Sequence, residues 1–189
     1  MRETVDPFEH LVREHGLIET VLRVIDVLSD RAHAQQDVDR QDLRAAMDYL
    51  TDFEELGHHE KEEVILTPVL IANGFDWYQG PLASVRRDHR QEHYFIRVLG
   101  QLAHQPESWS SEDLRRFVSV AREFTAFLRG HMGREQHDLF GLARQMLPAA
   151  EQEAMLAAFA RFDSEPERVP ALANLEQQRR QLLDKYGIA

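Results

Sequence analysis

The spacing of hydrophobic residues along the chain predicts four long helices. Apolar positions recur every three or four residues, which is the period of a helix with one buried face. The four segments cover roughly residues 8–33, 40–73, 80–104 and 111–147. The connections between them are short, and short connections favour antiparallel neighbours. We therefore expect an all-α protein whose residues 1–147 form an up-down-up-down antiparallel four-helix bundle.

The pattern changes after Pro148. A shorter helix is predicted over residues 149–162, prolines interrupt the chain at 166 and 170, and residues 171–186 are polar but helix-prone. Residues 148–189 contain no histidine. We interpret them as a C-terminal helical extension that packs on the bundle, caps it, or pairs two subunits as a homodimer.

Composition narrows the range of functions. The absence of cysteine excludes disulfides, iron–sulfur clusters, thiolate zinc sites and cysteine nucleophiles. A formal net charge of −11 at pH 7 argues against nucleic acid or an anionic membrane as the partner. The N-terminus lacks the apolar run of a signal peptide, and no apolar stretch is long enough to span a bilayer. We therefore expect a cytoplasmic protein.

Each predicted helix carries histidine on its apolar stripe, and histidine is the commonest metal ligand in proteins. The first stripe is Phe8, Leu11, His15, Ile18, Leu22 and Ile25. The second is Leu43, Met47, Leu50, Glu54, His58, Glu62, Ile65 and Val69. The third is Leu82, Val85, His89, His93, Ile96 and Leu99. The fourth is Leu114, Phe117, Ala121, Phe124, Leu128, His131, Glu135, Leu139, Leu142 and Met146.

Histidine followed four residues later by glutamate places both side chains on one helix face. Of the several such pairs in the chain, only His58/Glu62 and His131/Glu135 lie on the stripes, and His59 falls outside them. A single histidine on an apolar stripe is more often a core residue satisfied by a hydrogen bond. Five imidazoles and two carboxylates buried together would have a large desolvation cost unless metal ions accept their lone pairs. The stripes therefore predict a two-metal site. Its expected ligands are His15, His58, Glu62, His89, His93, His131 and Glu135.

The order of these motifs resembles the hemerythrin-like (HHE cation-binding) family over about residues 8–147. The resemblance is carried by Glu14-His15, His58-His59-Glu60-Lys61-Glu62-Glu63, Asp88-His89 and His131-Met132-Gly133-Arg134-Glu135. It implies that Glu62 and Glu135 bridge two iron ions. It further implies that His15 and His58 bind one iron, and that His89, His93 and His131 bind the other.

The resemblance also implies a di-iron centre with an oxo or hydroxo bridge and one open coordination position. Such a position takes O2, NO, peroxide or azide. The hemerythrins proper have an aspartate at the position of Gln136, whereas here Glu135 supplies the carboxylate, so an oxygen-carrier role is not implied. Glu54 and Glu92 are candidate acceptors for imidazole N–H groups.

Four functions remain open from the sequence. The first is non-haem di-iron binding of O2 or another small oxidant for storage, sensing or stress protection. The second is a di-iron enzyme with peroxide-disproportionating or ferroxidase activity. The third is a metal-dependent regulatory iron sensor, and the fourth is a metal-free helical interaction module.

Overall fold

The computed structural model describes residues 6–106 and 108–188, with the side chains of residues 55 and 56 left out, and its described elements are all helical. The bundle is formed by α1 Pro7–His33, α2 Arg40–Phe53, π1 Glu54–His58, π2 Lys61–Leu66, α3 Thr67–Ala72, α4 Gly80–His104, α5 Ser111–Arg134, π3 Glu135–Leu139 and α6 Phe140–Met146. The extension is formed by α7 Ala149–Asp163 and α8 Arg168–Tyr186. None of the described helices is long and apolar enough to cross a membrane.

Side-chain caps fix the beginnings of α1, α2 and α5. The Asp6 carboxylate accepts a hydrogen bond from the Glu9 backbone N–H, and Pro7 occupies the first turn of α1. At the beginning of α5, Ser110 and Asp113 form a reciprocal capping box. Gly187 ends α8 in the left-handed conformation, which glycine adopts without steric cost.

The second and fourth predicted helices are continuous but not uniform. Helix α2 runs through π1 and π2 into α3, and α5 runs through π3 into α6. A π-helical turn contains one more residue than an α-helical turn, and such turns are often found at functional sites. The three π segments of the described chain therefore divide these helices where the candidate ligands lie.

The long helices enclose two separate apolar clusters. Helix α1 packs against α2 and α5, and α4 also packs against α2 and α5, while α7 and α8 cover α1 and α2. The larger cluster includes Ile18, Leu22, Leu50, Phe53, Phe95, Leu99, Phe124 and Leu128. The smaller cluster includes Phe8, Leu11, Leu66, Leu70, Val85, Leu139, Phe140 and Phe159.

Each long helical segment passes from one cluster to the other, and the direction alternates along the chain. Helix α1 leads from the smaller cluster to the larger, and the segment from α2 to α3 leads back. Helix α4 again leads from the smaller cluster to the larger, and the segment from α5 to α6 returns. A layer of buried polar side chains separates the clusters.

The extension shares its core with the bundle, because Phe159 of α7 is fully buried in the smaller cluster and stacks on His10 of α1. We expect Phe159→Ala to lower the free energy of unfolding by about 3–5 kcal/mol, since it leaves a cavity in a packed core. Urea denaturation followed by circular dichroism measures the change. The control Val169→Ala, at a side chain exposed in α8, should stay within about 0.5 kcal/mol of wild type. Equal stability of Phe159→Ala and wild type would show that α7 does not share this core.

Candidate metal centre

The structure brings six of the seven predicted residues together in the layer between the two apolar clusters. These six are His15 from α1, His58 from π1, Glu62 from π2, His89 from α4, His131 from α5 and Glu135 from π3. All six are buried. The seventh, His93, is exposed on α4 and lies outside the cluster.

The buried side chains form two adjoining groups. One group consists of His15 and His58 together with the two carboxylates, and the Nε2 atoms of the two imidazoles are 3.0 Å apart. The other consists of His59, His89 and His131, with the rings of His59 and His89 stacked at a centroid distance of 4.0 Å. In each group, one ligand atom from every residue lies within 4.8 Å of the others.

Glu62 and Glu135 each direct one oxygen at the histidines of one group and the other oxygen at the histidines of the second group. Glu62 places Oε1 at 3.6 Å from His58 Nε2 and Oε2 at 3.3 Å from His89 Nε2. Glu135 places Oε2 at 3.1 Å from His15 Nε2, whereas its Oε1 lies 3.4 Å from His131 Nε2. Ligands bonded to one ion at about 2.1 Å have separations of this size. The arrangement suits two ions bridged by two carboxylates.

Four imidazoles direct Nε2 into the layer and Nδ1 toward a polar group outside it. The outer pairs are His58 with Glu14 at 2.9 Å, His15 with the Gln136 amide at 2.8 Å, His131 with Asp88 at 3.5 Å and His89 with Glu63 at 3.6 Å. A histidine that ligates metal through one nitrogen commonly donates the other N–H to a carboxylate, which fixes the ring orientation, and Glu14 is placed to accept from His58 in this way. The contact of His15 differs, because the Gln136 amide nitrogen donates to its Nδ1. The sequence did not identify these outer partners.

Many polar atoms in the layer lack hydrogen-bond partners. Among the described residues, both oxygens of Glu62 and of Glu135 and both ring nitrogens of His89 and of His131 are buried without one. A buried polar group left unpaired costs about 1–3 kcal/mol, and a charged group costs more. Metal ions in the layer would accept the lone pairs of the two carboxylates and of Nε2 of His89 and His131, so the donor set fits a pair of cations.

The buried carboxylates also make the layer electrostatically favourable for positive charge. Burial alone would lower the pKa of His89, but the neighbouring carboxylates of Glu135, Glu62 and Glu63 raise it to about 12. Burial raises the pKa of the Glu135 carboxyl, but His131, His15 and His89 bring it well below its usual range. Burial and the neighbouring His89 and His58 lower the pKa of His59, so its imidazole is neutral, as a metal ligand must be.

His59 lies between two π-helical segments and faces the layer. A stripe with one position every three or four residues excludes the residue after His58. The wider turns of π1 and π2 reduce the rotation between consecutive residues, so His58 and His59 are both buried. Regular α-helical spacing in the sequence does not place His59 on the buried stripe.

The extra residue in each π turn also moves the buried stripe beyond it by one position. Leu66 and Leu70 are buried where the stripe predicted Ile65 and Val69. In the fourth segment, Ala143 and Leu147 are buried, whereas the predicted Leu142 and Met146 are exposed.

His93 is exposed because the buried stripe of α4 continues at another residue. After His89, a helical stripe can continue three or four residues later, and the structure continues it at Glu92, which is buried. Glu54 is buried as well, and His59, Glu54 and Glu92 place ligand-type atoms within 4.8 Å of one another. Glu92 Oε2 lies 3.5 Å from His59 Nε2. Both predicted acceptors thus lie at the centre, beside His59.

Comparison with known families matches residues 6–143 to the hemerythrin HHE cation-binding domain. The chain belongs to this family. The match covers α1 to α6 up to Ala143 and excludes the extension. No curated protein and no solved structure matches the chain. Membership of the HHE family and the buried histidine and glutamate groups together indicate a cation-binding protein.

The positions of His59 and His93 in this HHE domain lead to a paired test. We expect His59→Ala to reduce the iron retained after anaerobic loading with Fe(II) and desalting, because it removes one of three imidazoles from its group. His93→Ala should retain the wild-type amount, since that side chain is exposed. Metal analysis of both variants measures the difference. The reverse result, with iron lost only from His93→Ala, would contradict the arrangement of side chains described here.

Proposed function

We propose that this HHE domain protein is a non-haem di-iron protein that binds O2 or another small oxidant or gas ligand, such as NO or peroxide. Its role would be storage, sensing or stress protection. One observation carries the proposal: Glu62 and Glu135 each direct one carboxylate oxygen at each of the two histidine groups. A single ion would not require both oxygens of Glu62 and of Glu135 to face opposite groups.

We assign His15 and His58 to one iron and His59, His89 and His131 to the other, with Glu62 and Glu135 shared between them. His59 thereby replaces His93 in the ligand set expected from the sequence. When bound, a pair of irons supplies an open coordination position and redox chemistry for a small oxidant. The group with two imidazoles has fewer protein donors, so we place the open position there.

The residues around the ligands hold the imidazoles in place. Glu14 accepts the Nδ1–H of His58 at 2.9 Å, and Asp88 lies 3.5 Å from Nδ1 of His131. These contacts direct Nε2 of each ring inward and make it a better donor to a cation. Asp88 is itself held by the Arg134 guanidinium at 2.7 Å.

Apolar side chains exclude water on both sides of the layer. Leu11 and Ile18 flank His15 along α1, and Leu128 and Phe124 precede His131 along α5; all four side chains are buried. Such an apolar lining would limit the access of water to the ligands and lower the local dielectric. The alternating direction in which the helical segments join the two clusters supports the up-down-up-down topology that we propose for the bundle.

Metal content and optical spectroscopy test the di-iron proposal. We expect aerobically purified protein to contain about two irons per chain, to absorb in the near ultraviolet, and to change its spectrum on addition of azide. His131→Ala, which removes a buried imidazole, should lose much of the metal and the azide response. A colourless wild-type protein with less than about one metal per chain would contradict the proposal. Peroxide turnover by wild type that disappears in His131→Ala would instead identify the protein as a di-iron enzyme.

A further inference from the structure

A buried lysine connects the C-terminal extension to the candidate metal centre. The Lys61 side chain, on π2 directly before Glu62, is only 1% exposed. Its ammonium group contacts the carboxylate of Glu14 and donates to Asp163 Oδ1 at 2.8 Å. His10 Nε2 lies 3.3 Å from the same ammonium group and 3.1 Å from Asp163 Oδ2. The contribution of Asp163 comes from α7, outside the part of the chain that matches the HHE family.

These contacts form a continuous path to a candidate ligand. Asp163 contacts Lys61, and Lys61 contacts Oε1 of Glu14. The other oxygen of Glu14, Oε2, lies 2.9 Å from Nδ1 of His58. Because the Nε2 atom of His58 faces the layer, any change in how Glu14 is held reaches the donor strength and orientation of this imidazole.

We propose that Asp163 is a positioning residue for the metal centre, which it reaches through Lys61, Glu14 and His58. The proposal rests on the di-iron function proposed above. It assigns to the extension a part in completing the centre, in addition to covering the bundle.

Asp163 can act on Glu14 because both carboxylates pair with the buried ammonium group of Lys61. Removing a cation from water costs several kcal/mol unless it is paired and its donors are satisfied. Asp163 and Glu14 share this role, so Lys61 lies between two carboxylates and Glu14 keeps one oxygen for His58. Without the charge of Asp163, Glu14 would be the only carboxylate among these contacts of Lys61. The stronger attraction would draw Glu14 toward Lys61 and weaken its hydrogen bond with the imidazole.

The alternative is that Asp163 serves only to dock the extension. Other ion pairs also dock it: Arg168 binds Glu60 with two contacts of 2.9 and 3.0 Å, and Lys185 contacts Asp39 and Asp42 of the α2 N-terminus. The Lys185 pairs connect the extension to the bundle but do not involve Lys61. Lys185→Gln is therefore a matched control that loosens docking and leaves the path to His58 intact.

Titration with Co(II) as the probe, followed by visible absorption, separates the two roles. We expect wild type to bind about two equivalents. Asp163→Asn, which keeps the shape of the side chain and removes its charge, should weaken one equivalent about tenfold and leave the other unchanged. Glu14→Gln should weaken the same equivalent by about 10- to 100-fold. Asp163→Glu should bind closer to wild type than Asp163→Asn, because it restores the carboxylate.

Thermal melting of each cobalt-free variant distinguishes positioning from a structural effect. The proposal predicts that Lys185→Gln binds both equivalents like wild type even if it lowers the melting temperature. It would be overturned if Asp163→Asn bound cobalt like wild type, or if Lys185→Gln and Asp163→Asn weakened both equivalents alike. Failure of the wild-type protein to bind cobalt or iron would instead contradict the proposed function. Normal cobalt binding by wild type with no effect of Asp163→Asn would contradict only the positioning role of Asp163.

Discussion

The central constraint on this fold is a layer of lone pairs buried between two apolar clusters. Imidazoles and carboxylates from four helical segments meet there, and many of their polar atoms have no hydrogen-bond partner among the described residues. Such a layer would destabilise the bundle by several kcal/mol if nothing accepted those lone pairs. Metal ions would turn the cost into a stabilising interaction, because they satisfy donors from all four segments at one level. Folding and metal binding should therefore be coupled in this protein.

The π-helical turns satisfy the geometry that this layer requires. A narrow α-helical stripe places one residue toward the interior every three or four positions. The second helical segment nevertheless directs His58, His59 and Glu62 into one small volume, and the π turns on either side of His59 allow this. A third π turn begins at Glu135, where the fourth segment contributes its carboxylate. Local departure from the α-helix is thus concentrated where the ligand density is highest.

Regular periodicity explains which parts of the structure the sequence could predict. Every residue of the α1 stripe, including His15, is buried as expected. The prediction fails where the period changes: His59 was missed, and the buried positions after π2 and π3 lie one residue later. His93 was misplaced because a stripe can continue after three residues as well as after four. The contact of Lys61 with Asp163 joins residues that are 102 positions apart and carries no periodic signal.

The carboxylates outside the layer orient the imidazoles and are themselves paired with cations. Glu14 and Asp88 each face a candidate ligand, and each is paired with a cation of its own, Lys61 or Arg134. The charge of each of these two carboxylates is therefore offset by a cation outside the layer. The two sides differ in their exposure to solvent, since the Lys61 side chain is 1% exposed and that of Arg134 is 41% exposed. Water and salt screen the Arg134 pair, whereas the extension shields the Lys61 pair, so a change of charge is felt more strongly on the His58 side.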